Sequence, residues 1–298
     1  MAVKRSMQWL VMVALACVVL VGWQLQSIDN RVVFLDVGQG DAILLQDGRR
    51  QILIDGGAGN AVLEPLAAQM PWFDRTIDVV VLSHPQQDHV EGLVHVFQRY
   101  DVGLVLLPDA SYSSQLQESW LNAVEGAGVP YRFSWYGQQL HVGDFAVKVL
   151  GPIDSSQSQA IIAKDVNNAS TIMRVDVHGL SLLLTGDAEE PVERLLVQTV
   201  PSELLDVDVL KAGHHGSKTS NSTQLLAATS PHSVVISVGG DNRFGHPSPE
   251  VLERLQGLSV FRTDEDGSVQ FVHDVRGWRV SCLNKTELRI WQKSCTQD

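Results

Sequence analysis

After Asp29 the apolar positions fall in short blocks bounded by turn residues, not in long periodic stretches. Ten blocks predict strands, at 32–35, 42–45, 51–54, 79–82, 102–107, 146–150, 172–175, 182–184, 207–210 and 234–238. The first three are separated by Gly-Gln-Gly-Asp and Gln-Asp-Gly-Arg, turn signatures that predict an antiparallel meander. Helical spacing appears at 61–69, 91–99, 115–127, 191–198, 223–228 and 249–255. The last opens with Ser248-Pro249-Glu250, a capping residue followed by proline at the first helical position. Strand groups alternating with helices predict an α/β sandwich, two sheets covered by helices. No fixed-period repeat or interior linker divides residues 29–298, so one domain is expected there.

A different pattern precedes it. Residues 9–23 contain no charge, follow Lys4 and Arg5, and are bracketed by Trp9 and Trp23. This predicts a membrane anchor over residues 1–28, with the two tryptophans at the boundaries of a tilted helix or a thin bilayer. A cleaved signal peptide is the competing reading, but Gly22-Trp23-Gln24 puts a bulky ring inside the best cleavage site. Lys4 and Arg5 on the cytoplasmic side would make this a single-pass protein of the cytoplasmic membrane, with its C-terminal domain extracytoplasmic.

Composition narrows the function. The formal charge of −12 argues against a broad basic face wrapped around duplex nucleic acid. With 44% hydrophobic and 19% charged residues, the chain is not a disordered one. Three cysteines are too few for a disulfide scaffold. Cys17 lies in the apolar run, whereas Cys282 and Cys295 are placed either for one bridge in an oxidising compartment or as two free thiols.

Ionisable residues gather where strands end. The block at 79–82 runs into Ser83-His84-Pro85-Gln86-Gln87-Asp88-His89, the block at 182–184 into Thr185-Gly186-Asp187, and the block at 207–210 into Lys211 and Gly213-His214-His215-Gly216-Ser217. A fourth, at 51–54, ends in Asp55-Gly56-Gly57. Carboxylates and imidazoles delivered together from separate strand ends are a borderline ligand set for Zn²⁺ or Mn²⁺. Taken alone, Asp88 reads equally well as a helix cap.

Together with Phe34-Leu35-Asp36-Val37-Gly38-Gln39-Gly40-Asp41, Asn167-Asn168-Ala169-Ser170 and Asn242-Arg243-Phe244-Gly245-His246-Pro247, these segments resemble the metallo-β-lactamase superfamily, and within it the exported domain of the competence DNA-internalisation (ComEC) family. The resemblance spans about residues 31–275 and implies a four-layer αββα sandwich. It also implies one or two divalent ions (Zn²⁺ or Mn²⁺, with Mg²⁺ admitted) held by His84, Asp88, His89, Asp187 and His214 or His215. Asp55 would support the ligands from behind, joined by Asp36, Asp41, Gln86 and Ser170. Two departures follow. Gln86 stands where the superfamily has a ligating histidine, and the region of its next histidine reads here as 168–170. One firm metal position and one weak, exchangeable position are therefore expected.

A cation so held lowers the pKa of bound water to give a hydroxide nucleophile, which makes hydrolysis the expected reaction class. Ser217, Lys218, Asn242 and Arg243 are candidates to hold a phosphodiester. Asp88, His246 and Lys211 are candidates for the chemistry, with His246 giving a proton to the leaving oxygen and Lys211 contacting phosphate. DNA, as a single strand, is the implied substrate and a DNA-uptake channel an implied partner. The rivals are a hydrolase of a small exported ester, lactam or phosphocholine-like substrate, and a catalytically inactive DNA-uptake scaffold.

Overall fold

A computed structural model describes residues 9–15, 17, 30–108 and 115–283. Six strands, β1 (Arg31–Phe34), β2 (Ile43–Asp47), β3 (Arg50–Ile54), β4 (Thr76–Val81), β5 (Asp101–Pro108) and β6 (Tyr131–Ser134), join the later hairpin β14 (Ser268–Asp274) and β15 (Gly277–Leu283). They form an eight-stranded sheet in the order β15-β14-β1-β2-β3-β4-β5-β6. A second sheet has the order β13-β12-β11-β10-β9-β8-β7. Its strands are β7 (Gln139–Val142), β8 (Phe145–Gly151), β9 (Ile172–Val177), β10 (Leu180–Leu184), β11 (Val209–Lys211), β12 (Ser233–Ile236) and β13 (Ser259–Arg262).

Three apolar layers hold four layers of structure together. Between the sheets, Phe34, Ile54, Val81 and Leu106 meet Val147, Val175, Leu182 and Val235. On the outer face of the first sheet, Val33, Leu53 and Val80 pack under Leu66, Leu93 and Trp120 of the helices Leu63–Gln69, Gln87–Phe97 and Gln115–Gly126. On the outer face of the second, Leu183, Leu210 and Val234 pack under Leu196, Leu225 and Val251 of the helices Glu190–Thr199, Thr223–Thr229 and Pro249–Arg254. Because both faces of each sheet are covered, central strands are apolar on both sides and appear in the sequence as unbroken blocks. The expected β1–β2–β3 meander is antiparallel.

Five strands have no such block. β6, β7, β13 and β15 sit at or near sheet edges, and β14 alternates apolar residues with Gln270 and His273. The helix Gln87–Phe97 begins four residues before the expected 91, so Asp88 and His89 lie in its first turn, not in the turn before it. Ser248 caps the helix Pro249–Arg254 as its sequence predicts, accepting from the Val251 N–H.

Residues 9–15 are helical and exposed, and no helix among the described residues is long and apolar enough to cross a membrane. Most of the expected anchor at 1–28 lies outside the described residues. Cys282 is disulfide-bonded and Cys17 is free; Cys295 lies outside the described residues.

Candidate metal centre

Parallel strands β3 and β4 of one sheet, and β10, β11 and β12 of the other, send their C-terminal ends to the same end of the sandwich. There Asp187, just beyond β10, collects three imidazoles. Its Oδ2 lies 3.2 Å from His215 Nε2, 3.3 Å from His89 Nε2 and 3.9 Å from His84 Nε2. Asp88 adds a carboxylate oxygen 3.3 Å from the same His215 nitrogen. The groups His84–His89–Asp187 and Asp88–His89–His215 each bring three ligand atoms within 4.8 Å of one another. All of these side chains are buried except that of Asp88, which is 23% exposed and faces the cleft.

The imidazoles are aimed from behind. His89 Nδ1 donates to Asp55 Oδ2 at 2.8 Å, and His215 Nδ1 donates to the Ser237 carbonyl at 2.8 Å. Each bond fixes the ring so that Nε2 faces Asp187, which is how metal-ligating histidines are oriented. Asp55 itself accepts from the Ser83 N–H and hydroxyl at 2.7 and 2.6 Å, and Ser170 Oγ accepts from the Asp187 N–H at 2.9 Å. His214 and His215 both have positive φ, 50° and 54°, a conformation uncommon for residues other than glycine and frequent at functional sites.

Charge decides what fits here. Four carboxylates, of Asp41, Asp55, Asp88 and Asp187, meet here, and Lys211 pairs with two of them, Asp41 and Asp187, while Asp55 and Asp88 face imidazoles. Burial opposes charge on His215, but Asp187, Asp88 and Asp41 outweigh it and push its pKa up to about 10. His89 is raised in the same way, burial being overcome by Asp187 and Asp55. Burial, reinforced by the neighbouring His89, holds His84 well below its ordinary value and keeps it neutral. A cation in the cluster would do the work of those protons. Consistent with that, the buried atoms His84 Nε2, His215 Nε2 and Asp187 Oδ1 make no hydrogen bond. Imidazole nitrogens and carboxylate oxygens together suit a divalent cation.

The remaining expected residues lie at graded distances. His214 stays at the rim, its Nδ1 3.6 Å from Glu189 Oε1 and its Nε2 3.4 Å from Asn167 Nδ2. Gln86 donates to Asn167 Oδ1 beside His84. Asp41 lies beneath the cluster with Lys211, whereas Asp36 caps a turn by accepting from the Gly38 N–H at 3.1 Å. Ser217 pairs with Thr219 at 3.0 Å, and Lys218 is exposed near them. The side chain of Asn242 braces its own loop, bonding the carbonyls of Gly239 and His246 and the His246 N–H. Arg243 extends over the ring of Phe244.

One expectation is corrected. Lys211 cannot contact a substrate phosphate, because it is fully buried and bonded to the Gly186 carbonyl at 2.8 Å. His246 sits at the rim, its ring 5.6 Å from that of His214, and burial together with the neighbouring His214 and His215 lowers its pKa. Glu189 and Ser237 were not singled out from sequence. Glu189 follows Asp187 by two residues and could have been flagged by that proximity, whereas Ser237 contributes only a backbone carbonyl and leaves no side-chain signal.

Comparison with known proteins agrees with this architecture. The family model described as Metallo-beta-lactamase superfamily matches residues 35–240. ComE operon protein 3 of Bacillus subtilis is 30% identical over 265 residues, 82% of this chain and 33% of that protein. Competence protein ComA of Neisseria gonorrhoeae is 31% identical over 265 residues, covering 88% of this chain and 35% of its own length. The chain thus spans about a third of the length of these curated relatives. Among solved structures, the metallo-beta-lactamase fold protein YhfI from Bacillus subtilis superposes with a TM-score of 0.53 at 15% identity, covering 78% of this chain and 96% of that one. At that identity the superposition speaks for the fold alone. Sequence match, doubled sheets and strand-end ligands coincide, and the chain belongs to the metallo-beta-lactamase superfamily.

Proposed function

We propose that this chain is a membrane-tethered, metal-dependent phosphodiesterase that cleaves DNA at the outer face of the cytoplasmic membrane during DNA uptake. The observation that carries the reading is the convergence of three imidazole nitrogens on one Asp187 oxygen, within 3.2 to 3.9 Å. Asp88, His89, Asp187 and His215 would hold the firm metal, and His84 with Asp187 the weaker one. When bound, Zn²⁺ or Mn²⁺ lowers the pKa of a water and offsets negative charge developing on a phosphodiester.

The chain's own groups do the rest. Asp55 and the Ser237 carbonyl keep His89 and His215 in the ligating tautomer, and Lys211 holds Asp41 and the Gly186 carbonyl in place under Asp187. On the rim, His246 would give a proton to the leaving oxygen, and the exposed Lys218 and Arg243 would meet the phosphodiester. In this reading the uncharged run at 9–23 is the tether and residues 29–298 the hydrolase domain; a relative named as a competence protein supports the DNA-uptake context, in which a DNA-uptake channel would be the partner.

The test is cleavage of single-stranded DNA and of bis(p-nitrophenyl) phosphate by the purified chain with Mn²⁺, Zn²⁺ or Mg²⁺, with Asp88→Ala as control. Metal-dependent turnover that disappears in Asp88→Ala supports the reading. No turnover of either substrate with any of the three ions rejects it.

A further inference from the structure

We infer that Glu193 and Asn221 are positioning residues of the metal centre: together they bracket the loop that carries His215 and fix it to the segment that carries Asp187 before an ion binds. The inference rests on the metal-binding part of the reading above and not on its substrate. Asn221 grips Gly213, the residue before the two histidines, by both of its backbone groups. Its Oδ1 accepts from the Gly213 N–H at 2.8 Å and its Nδ2 donates to the Gly213 carbonyl at 2.9 Å. Asn221 is fully buried and stands at φ 61°, a left-handed backbone that asparagine adopts more readily than most residues.

Glu193 holds the bracket from the other side. It lies in the helix Glu190–Thr199, which follows Asp187, and its side chain is buried. Its Oε1 accepts from the Asn221 N–H at 2.6 Å and its Oε2 from the Ser222 N–H at 2.9 Å. Arg254 closes the same turn by donating to the carbonyls of Ser220 and Asn221 at 3.1 and 2.6 Å. Three more bonds tie the two segments: the Glu190 N–H donates to the Thr219 carbonyl at 2.8 Å, the Ser220 hydroxyl to the Ala188 carbonyl at 2.9 Å, and the His214 N–H to the Gly186 carbonyl at 3.2 Å. A carboxylate is costly to bury, and a position that needed only to be filled would take an apolar side chain. Glu193 instead commits both oxygens to two successive backbone N–H groups, so what it fixes is the path of the chain through Asn221.

The histidine turn needs such a hold. His214 and His215 are two consecutive left-handed residues, a conformation that persists only where the surroundings impose it. One end of the turn is Gly213, gripped by Asn221; at the other the Gly216 carbonyl accepts from the Ser248 N–H at 2.9 Å. With the Gly213 grip released, the turn can relax and the 3.2 Å approach of His215 Nε2 to Asp187 Oδ2 is no longer set in advance. A cation would then have to order the loop as it binds, so affinity falls although every ligand is still present.

The experiment titrates the whole chain, stripped with EDTA and dialysed, with Mn²⁺ against a competing chelator, and reads the visible absorption of bound Co²⁺ as a signature of ligand geometry. Asn221→Gly keeps the left-handed backbone and removes both grips; it should weaken Mn²⁺ binding about ten-fold or more and change the Co²⁺ spectrum. Asn221→Asp, which keeps the acceptor for the Gly213 N–H, should recover part of that loss, and Glu193→Gln, which keeps one acceptor, should lose less than Asn221→Gly. Val200→Ala, a buried apolar position at the far end of the Glu193 helix, is the control for stability: it should lower Tm and leave Mn²⁺ affinity and the Co²⁺ spectrum unchanged. Circular dichroism checks folding, and if Asn221→Gly does not fold, Asn221→Asp and Glu193→Gln decide in its place. Folded bracket variants that bind Mn²⁺ within two-fold of the parent overturn the bracket, as does a Val200→Ala protein that loses as much affinity as they do, or a parent that binds neither ion. A parent that binds metal and cleaves no DNA would reject the phosphodiesterase reading and leave the bracket standing.

Discussion

Lys211 Nζ lies 2.5 Å from Asp41 Oδ2, and neither side chain is more than 1% exposed. The same ammonium donates to the Gly186 carbonyl and lies 3.6 Å from Asp187 Oδ1, so one buried cation ties the loop before β2 to the loop that carries the shared ligand. Burial opposes the charge on Lys211, but Asp41 and Asp187 outweigh it and hold the lysine protonated. Lys211→Met removes the charge and leaves Asp41 buried without its partner. Breaking a buried pair in this way costs about 3–5 kcal/mol. Urea unfolding should show a loss of that size, and Lys211→Met/Asp41→Asn should recover part of it. A loss under about 1 kcal/mol would mean the pair is not the anchor described.

Asp187 is within reach of three imidazoles, so its charge, more than its shape, is what the centre depends on. Asp187→Asn keeps the shape and should lower metal affinity by more than about 100-fold, beyond what loss of an outer partner does. In the parent, Mn²⁺ at about 100 times its dissociation constant should add about 2.7 kcal/mol of stability. For a domain of this size that is about 5–10 °C in Tm. Differential scanning fluorimetry with and without EDTA checks both, and an Asp187→Asn protein that still gains the full shift would remove this carboxylate from the ligand set.

Gly92 lets the ligand-bearing helix dock. A Cβ there would lie 1.8 Å from the Gly56 carbonyl oxygen, and Gly56 in turn donates to the His89 carbonyl at 2.8 Å. The contact is backbone against backbone, so no side chain can move aside. Gly92→Ala should destabilise the fold by about 1–3 kcal/mol through overpacking. Because Asp88 and His89 sit in the first turn of the same helix, it should also weaken metal binding. Equilibrium unfolding and metal titration of the variant read the two effects; unchanged values for both would refute the docking role.

The cluster was legible in sequence because its polar residues follow apolar blocks: the supporting Asp55 just after β3, and the ligands His84 and Asp187 within three residues of the ends of β4 and β10. A strand buried on both faces marks its own end, and the polar residues there stand out. Which of the paired histidines enters the site was not legible. His214 and His215 are neighbours of one residue type, and left-handed backbone at both turns only His215 inward, an outcome set by the Ser237 carbonyl from another strand. Lys211 was misjudged for a related reason. A lysine at a strand end looks like a surface group until the sheet opposite supplies Asp41 to hold it inside. The edge strand β6 was missed because its residues are exposed, and exposure removes the apolar signal by which strands are recognised.

On the His84 side the centre is lined by amides. Gln86 donates to Asn167 Oδ1 and Asn167 Nδ2 lies 3.4 Å from His214 Nε2, so no imidazole other than His89 accompanies His84 toward Asp187 in its three-ligand group. An amide is a weak ligand for Zn²⁺ and serves harder ions better, whereas imidazole suits Zn²⁺. Gln86→His supplies a nitrogen at the position where the superfamily resemblance places one. The variant should retain a second equivalent of Zn²⁺ after dialysis, where the parent retains one, and its preference should move from Mn²⁺ toward Zn²⁺. Metal content by mass spectrometry decides it. If the variant still holds a single equivalent, the orphaned His84 nitrogen does not belong to a metal position, and the weak second ion has no place in this protein.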